Sequence, residues 1–513
     1  MRQIVPLLGS KYNKANMTSA TVQDLVNFYL EQYPQAIGAR NNTMALPTPG
    51  CTLWVALGGN TVRGMLQHTG VIYIVVDATL YSVNPNTMIV TTLGSIGNAG
   101  SPSNFLVRMD AIPNEVVVVE PLSGNVFSYR IDLATFAQVT ASQFTIGGVT
   151  TPVISVVGWQ GYFFYLLANS DYVYYSNLND GRTVQALNFV QAIACYNNIQ
   201  AIASSQNYLY FMGDVATEVW QFSGQATGLI IRASGGIMQY GTMSPYSYCV
   251  SFDNLYFMAT DKTGPVGLGV MNGVNCEVLP QYDLVAKLNS YHHTNIAYSW
   301  VDNTNGHNFF NTTIPYAEDT RGRTLSVDTV SQNWFERSSF NQNGLIFPTD
   351  DQYLAACFVY FNTANSGLTQ LIGDYQSGNV YVQSPSVFSD NNTYIRRTIT
   401  TPHLIDRDTF ITCYCIEMDI ERDQGLDGTQ QGSVPQVMMQ YSKDRGHTWS
   451  NEIWRTASVL GASRMRVRWG SIGGARCLTF RFRMSDPINW TIANLTADLE
   501  REEPSYGRMI GLE

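Results

Sequence analysis

A pair of short apolar strands recurs along most of the chain, and this repeat constrains the fold more than any other feature. Each copy has an aromatic and β-branched run, a polar turn, and a second run that ends near an aromatic residue. The copies begin near Ile72, Val116, Phe163, Leu209, Leu255, Phe309 and Ala355. Their starting points are roughly 44 to 54 residues apart, which is the length of one four-stranded propeller blade.

One copy can be followed through four strands, at 199–203, 208–212, 217–222 and 229–233, separated by polar turns. A single blade would leave both of its faces in water. A ring of blades buries those faces and removes the open sheet edges that favour aggregation. The repeat therefore predicts a closed ring of six to eight blades, that is, a β-propeller of about seven blades.

Composition supports an all-β protein. Apolar residues make up 45% of the chain and charged residues 13%, against about 25% charged in an average soluble domain. The 42 Gly and 30 Tyr, with many β-branched residues, suit short strands joined by tight turns. No stretch approaches the roughly 18 continuous apolar residues of a membrane span, and the first ten residues lack the pattern of a signal peptide. We therefore expect no stable membrane insertion.

Charge is distributed unevenly along the chain. Residues 1–389 carry 14 basic and 23 acidic side chains, whereas the remaining residues carry 15 and 16. Tight binding of nucleic acid needs a basic face that neutralises phosphates, so the acidic first part argues against it. If DNA passes through a channel in the assembled protein, an acidic channel wall would repel the duplex and prevent it from binding.

Three regions are predicted along the chain: an N-terminal arm at 1–50, the propeller at 51–385 and a C-terminal β-sandwich-like domain at 386–513. The arm is predicted to contain a helix at 22–33, with Thr21 and Asp24 in capping positions and Pro34 ending it. A polar linker is predicted at 384–392. The C-terminal strands are predicted at 394–400, 411–420, 436–441, 464–469, 477–484 and 490–499, with a flexible hairpin tip at 425–432.

The eight cysteines show neither zinc-site spacing nor a CxxC pair. They are Cys51, Cys195, Cys249, Cys276, Cys357, Cys413, Cys415 and Cys477. We expect buried free thiols in a protein made in a reducing cytoplasm. Cys413 and Cys415 are predicted to lie on one face of a strand.

The sharpest local motif is an Asp-box, S-x-D-x-G-x-T-W, formed by Ser442, Asp444, Gly446 and Trp449 with Thr448. The motif occurs in sialidases and in many other β-proteins. Its residues suit a hairpin turn, because Asp444 can accept bonds from turn amides, Gly446 permits a positive φ and Trp449 can pack beneath. A sialidase would also need an arginine triad, a Tyr–Glu pair and an Asp acid from separate blades, so we predict a structural role for the turn.

Other candidate chemistry is weaker. The adjacent carboxylates Asp350–Asp351 and Glu502–Glu503 would point to opposite faces of a strand, so solvated loop charges are the simpler interpretation. His292–His293 lacks a third ligand nearby and is predicted to lie in a surface loop. No phosphate-binding loop is present in the sequence. No catalytic, cofactor-binding or metal-binding residue is predicted.

Arginine is concentrated late in the chain, at Arg464, Arg466, Arg468, Arg476, Arg481 and Arg483. Alternate members would share one strand face. Such a stripe could contact DNA phosphates, or it could form ion pairs at a subunit interface, where the planar guanidinium is favoured. We prefer the interface.

Short motifs in a shared order resemble the packaged-DNA stabilisation, or tail-hub, proteins of short-tailed bacteriophages, over nearly the whole chain. Near the start they are 27–31, 48–50 and 62–64. In the ring they are 185–189, 217–220, 334–337 and 373–375, and towards the end they are 468–470, 473–476 and 485–487. Two departures affect local loops: Cys51 stands where that family often has Leu, and 303–320 makes an irregular, longer blade.

The resemblance implies a structural virion protein of the phage tail. It implies a homo-hexamer below the portal and its tail adaptor protein, which retains packaged DNA and attaches tailspikes or fibres and a tail needle or plug. Viral double-stranded DNA would pass through its channel at ejection. Two rivals stand beside it: a virion-associated, sialidase-like glycoside hydrolase, and a host-binding spike or fibre module. For the second, a repeat of about twenty residues would be expected, and the repeat here is longer.

Overall fold

The computed structural model describes residues 2–8, 13–14, 22–33, 42–100, 105–193, 199–225, 228–279, 281–318, 321–341, 349–363, 367–405, 409–421, 423–461 and 466–501. Strands account for 59% of the residues and helices for 3%, so the protein is all-β, as predicted. The chain divides into two compact units. The propeller unit comprises Cys51–Gln332 and Asp351–Ser384, and the sandwich unit comprises Met1–Gly50, Asn333–Asp350 and Pro385–Glu513.

The propeller unit has seven blades in its described part, which confirms the predicted architecture. Blades 1 and 2 are formed by Val62–His68, Val71–Val76, Thr79–Val83 and Val90–Ser95, and by Arg108–Ile112, Glu115–Glu120, Asn125–Arg130 and Thr135–Gln138. Blades 3 and 4 are formed by Val153–Trp159, Tyr162–Leu167, Tyr172–Tyr175 and Phe189–Gln191, and by Ala201–Ser205, Tyr208–Met212, Thr217–Phe222 and Ile230–Met238.

Blade 5 contains Gly241–Thr242, Tyr248–Ser251, Asn254–Asp261, Gly264–Asn272 and Asn275–Leu279. Blade 6 contributes Tyr298–Thr304, His307–Ile314 and Arg323–Asp328 to this unit. Blade 7 combines Ala355–Thr363, Gly367–Asp374 and Asn379–Ser384 with Gly50–Ala56 from the start of the ring. Each inner strand contacts the inner strand of the next blade, and that of blade 7 contacts that of blade 1, so the ring is closed.

Short elements connect or flank the blades. They are the α-helix Tyr282–Asn289, the 3₁₀ turns Ala141–Gln143 and Thr294–Ile296, the hairpin Thr145–Ile146 with Val149–Thr150, and the strand Thr349–Gln352. In the part of the chain that the structure describes, no helix is long and apolar enough to cross a membrane.

The second strand of each blade explains the repeat seen in the sequence. Glu115–Glu120 is buried at every position, and in Tyr162–Leu167 every residue after Tyr162 is buried. Because other strands cover both faces of these strands, their apolar runs are unbroken. A strand with one exposed face would instead show alternating apolar and polar residues. Apolar clusters fill the space between neighbouring blades, for example Val117, Val119, Phe163 and Tyr165 between blades 2 and 3.

The sandwich unit consists of two sheets. One has the order Phe28–Gln32, Thr43–Pro47, Ile492–Arg501, Ile411–Ile420 and Val467–Ala475, with Arg2–Pro6 also paired to Ile492–Arg501. The other has the order Trp334–Asn341, Val22–Val26, Arg397–Thr400, Cys477–Met484, Gln436–Ser442 and Ile453–Thr456, with Asn13–Lys14 and Leu404–Ile405 as short additions. Trp469 and Phe482, one from each sheet, are buried with ring centroids 5.3 Å apart. The two sheets therefore share a core.

The predicted helix at 22–33 is wrong. The structure has two strands there, Val22–Val26 and Phe28–Gln32, which belong to different sheets of the sandwich unit. Asn27, between them, has a left-handed backbone with φ of 58°. Residues 25–30 are all buried, so tertiary packing on both sides overrides the helical spacing of the apolar residues.

Three smaller predictions need correction. Residues 425–432 do not form a hairpin tip, because the flanking strands Ile411–Ile420 and Gln436–Ser442 lie in different sheets. Cys413 and Cys415 were predicted to share one strand face, but a β-bulge between them breaks the alternation of side chains. Cys413 is buried and Cys415 is half-buried. The predicted linker contains the short strand Ser389–Asp390. Of the predicted C-terminal strands, 411–420 and 477–484 have the observed bounds.

Candidate functional site

The Asp-box forms a closed turn after the strand Gln436–Ser442. The Oδ1 atom of Asp444 accepts hydrogen bonds from the Thr448 amide at 2.8 Å and the Ser442 hydroxyl at 2.7 Å, and Oδ2 accepts from the Thr448 hydroxyl at 2.5 Å. The Gly446 amide donates to Ser442 Oγ at 2.8 Å, and Gly446 has a φ of 87°. Both carboxylate oxygens of Asp444 are thus used by the turn itself.

The chemistry of Asp444 follows from these bonds. The Thr448 hydroxyl, the Thr448 amide and Ser442 lower its pKa to about 2. A carboxylate with so low a pKa remains ionised at neutral pH and cannot serve as a general acid there. Trp449 is half-buried, and the Arg481 guanidinium lies 3.7 Å from the centre of its ring. This contact attaches the turn to the neighbouring strand Cys477–Met484.

The other predicted residues are spread over the protein. His292 and His293 are exposed, Asp351 is half-buried, and Glu502–Glu503 lie outside the described residues. The described cysteines are free thiols, and Cys195 lies outside the described residues. Within the described ranges, no group of three or more His, Cys, Asp and Glu side chains could hold a metal ion.

A serine, a histidine and an aspartate meet in blade 6. Asp328 accepts a hydrogen bond from Ser331 Oγ at 2.6 Å and lies 2.9 Å from His307 Nδ1. In a catalytic triad the histidine lies between the serine and the acid, because it must take the serine proton. Here the aspartate is in the middle, so the arrangement suits a structural corner of the blade.

The late arginines pair with acids of the sandwich unit. Arg468 lies 2.6 Å from Glu417 and Arg466 lies 3.8 Å from the same carboxylate. Arg483 lies 3.7 Å from Glu452, and Arg464 lies outside the described residues. The stripe is therefore partly neutralised within its own unit.

The axis of the propeller holds a cavity of about 440 Å³, lined by residues from the inner strands of all seven blades. Arg108, on the inner strand of blade 2, crosses this cavity. Its guanidinium lies 4.2 Å from the ring centre of Tyr246 and 4.6 Å from that of Tyr248, and it donates to the backbone oxygen of Pro245. Tyr246 OH in turn donates to the Leu106 carbonyl at 3.1 Å. No local sequence pattern marks this site, because its residues are far apart along the chain.

Three further charged side chains lie at or beside the cavity: Asp110 and Arg63 line it, and Glu120 pairs with Arg63. Asp110 accepts hydrogen bonds from the amides of Gly158 and Ala111, both at 2.8 Å, and burial raises its pKa to about 6. Arg63 Nη2 lies 2.8 Å from Glu120 Oε1, and both side chains are fully buried. Arg63 also donates to the carbonyls of Phe105, Asp77 and Asn98. These contacts tie blades 1, 2 and 3 together near the axis.

Comparison with known families accounts for both units. The family model described as "Bacteriophage P22 Gp10, beta-propeller" matches residues 9–384, and the one described as "Bacteriophage P22 Gp10, beta-sandwich" matches residues 396–500. Together they cover most of the chain, in the order in which the two folds occur. The chain belongs to the bacteriophage P22 Gp10 family. Proteins of this family are structural tail-hub, or nozzle, proteins of short-tailed phages, and the virion tail is where they are found.

Three of the solved structures that are similar to this chain share at most 9% of its sequence. A chain of the mitotic checkpoint complex has a TM-score of 0.40 at 9% identity, covering 69% of this chain and 97% of that chain. The N-terminal domain of Nup159 has 0.40 at 8% identity, covering 74% and 99%. The Cps50 (Swd1) β-propeller domain of Myceliophteria thermophila has 0.38 at 9% identity, covering 65% and 99%. No curated protein matches the sequence.

Proposed function

We propose that six copies of this Gp10-family chain form the hub of the tail, below the portal and the tail adaptor protein. The observation that carries the proposal is the match of both family models, in order, to a propeller followed by a sandwich. The hub retains packaged DNA, attaches tailspikes or fibres and a needle or plug, and passes the genome at ejection. It is made in the host cytoplasm and is not inserted stably in a membrane.

The closed propeller axis supports a DNA channel between subunits. The major groove of duplex DNA is by itself about 12 Å wide and 8.5 Å deep. The axial cavity has a volume of only about 440 Å³ and is crossed by Arg108, so the propeller axis cannot admit a duplex. A channel surrounded by several copies has no such limit. The net charge of −10 suits passage, because an acidic wall binds the phosphate backbone weakly.

The proposed role is mechanical and involves no catalysis. The Asp-box, the sharpest motif shared with sialidases, uses both oxygens of Asp444 within its own turn. Glycoside hydrolysis needs a protonated acid opposite a second carboxylate, and Asp444 with a pKa of about 2 does not meet that need.

Light scattering coupled to size-exclusion chromatography tests the assembly. We expect a mass six times the 57.0 kDa of one chain for the full-length protein. A monomer at every concentration tested would contradict the hub. In parallel, incubation with host polysaccharide should yield no new reducing ends, and their appearance would support the glycosidase instead.

A further inference from the structure

The axial cavity contains a cation whose contacts are aromatic rings and a carbonyl. Arg108 extends from blade 2 to the rings of Tyr246 and Tyr248 in blade 5. Among the described residues, its guanidinium donates one hydrogen bond, to the carbonyl of Pro245. A guanidinium has five N–H donors. The side chain therefore has donors left for a ligand in the cavity that it lines.

Asp110, which lines the cavity, and Glu120, which pairs with the cavity-lining Arg63, already have hydrogen-bond partners. Glu120 pairs with Arg63 at 2.8 Å and also accepts from the Ser123 amide at 2.7 Å. Asp110 accepts from two backbone amides. Burial raises the pKa of Tyr246 to about 12 and also raises that of Tyr248, so both phenols are neutral at pH 7. Among the described residues, no carboxylate forms an ion pair with Arg108.

A partly buried charge without a counter-ion is unfavourable, and an anion that supplies charge-assisted hydrogen bonds would remove that cost. The two tyrosine rings hold the guanidinium plane in place, so it is preorganised for a ligand with two or more oxygens. The cavity of about 440 Å³ is large enough for such an ion and too small for a nucleic acid duplex.

We propose that the propeller axis is a binding site for one small oxyanion, held by the free N–H groups of Arg108 between blades 2 and 5. This site is independent of the hub's assembly and of any contact with DNA. An anion that binds only the folded propeller stabilises it by mass action, so occupancy would raise the unfolding temperature of the ring.

Isothermal titration calorimetry on the full-length protein tests the site. At low ionic strength and pH 7, with inorganic phosphate as the probe, we expect one ion bound per chain. Sulfate and acetate are titrated in the same way to separate tetrahedral from planar oxyanions. Saturable binding of any of the three at one site supports the proposal, and binding of none overturns it.

The variant Arg108→Met removes the guanidinium and should weaken binding at least about tenfold, since charge-assisted bonds are the strong ones. The matched control is Arg130→Met in the same blade, where Arg130 pairs with Asp132 at the surface, and it should bind like wild type. Arg108→Lys keeps the charge and guards against loss of folding, and it should bind more weakly than wild type but more tightly than Arg108→Met. Wild-type affinity in a folded Arg108→Met protein would contradict the proposal.

Discussion

The side-chain amide of Asn27 pairs with the backbone of Ser338 in both directions. Its Nδ2 donates to the Ser338 carbonyl at 3.0 Å, and its Oδ1 accepts from the Ser338 amide at 2.9 Å. Nδ2 also donates to the carbonyl of Arg396 at 2.9 Å. The Asn27 side chain thus makes the paired hydrogen bonds that a neighbouring strand would make. It does so where the chain passes from one sheet of the sandwich unit to the other.

We expect Asn27→Ala to destabilise the sandwich unit by about 3 kcal/mol, because buried backbone groups at Ser338 and Arg396 lose their partners. Chemical denaturation measures the change. Asn169→Ala is the control, since Asn169 is exposed and also has a positive φ of 49°. It should cost only about 1 kcal/mol, the backbone contribution. Equal losses in the two variants would show that the side-chain bonds contribute nothing.

Removing one partner of the buried Arg63–Glu120 pair near the propeller axis should greatly reduce the stability of the propeller. Arg63→Met leaves the buried Glu120 carboxylate without its ion-pair partner. We therefore expect the free energy of unfolding to fall by about 3–5 kcal/mol. The double variant Arg63→Met/Glu120→Gln should regain part of that loss, because the uncompensated charge is gone. Arg130→Met, which breaks an exposed pair with Asp132, should have nearly wild-type stability. A double variant less stable than Arg63→Met would refute this explanation.

Asp444 should stabilise its turn in a pH-dependent way. Its folded-state pKa of about 2 lies below the unfolded value of about 3.9, so the contribution is fully present above pH 4 and is lost as the pH falls through 2. Hydrogen exchange of the Thr448 amide should be slower in wild type than in Asp444→Ala at pH 6, and the difference should shrink as the pH falls through 2. Lys443→Ala, which leaves the turn's bonds intact, should exchange like wild type. A difference as large at pH 2 as at pH 6 would contradict the assignment.

A close approach between blades 2 and 3 depends on the absence of a side chain at Gly158. A Cβ there would lie 2.6 Å from the carbonyl oxygen of Ala111, which is backbone and cannot move aside easily. We expect Gly158→Ala to cost about 1–3 kcal/mol in the free energy of unfolding. Gly470→Ala, where the nearest atom to an added Cβ is 3.7 Å away, should be tolerated. Tolerance of both substitutions would show that the inner strands can separate without cost.

The blades could be predicted because burial on both faces leaves a direct mark on the sequence. Runs such as 116–119 and 163–167 consist of β-branched, aliphatic and aromatic residues, and their regular spacing indicates the repeat length. The strands at 411–420 and 477–484 were also predictable, since their outward positions carry polar residues. The bonds of the Asp-box are local, with all partners of Asp444 between Ser442 and Thr448.

Features that depend on distant partners were not predictable. Around Asn27 the apolar residues fit a helical period, and what decides against the helix is its pairing with Ser338 and Arg396, hundreds of residues away. The same holds for Arg108, because nothing in its local sequence indicates that the rings of Tyr246 and Tyr248 cover it. Single residues that join blades or sheets leave no periodic signal.

Cryo-electron microscopy of the intact tail tests the hub most directly. We expect a ring of six copies of this chain beneath the portal and adaptor, with DNA passing between the subunits and each propeller axis closed. A tail that lacks such a ring, or one in which this chain occupies only the spike or fibre tips, would contradict it.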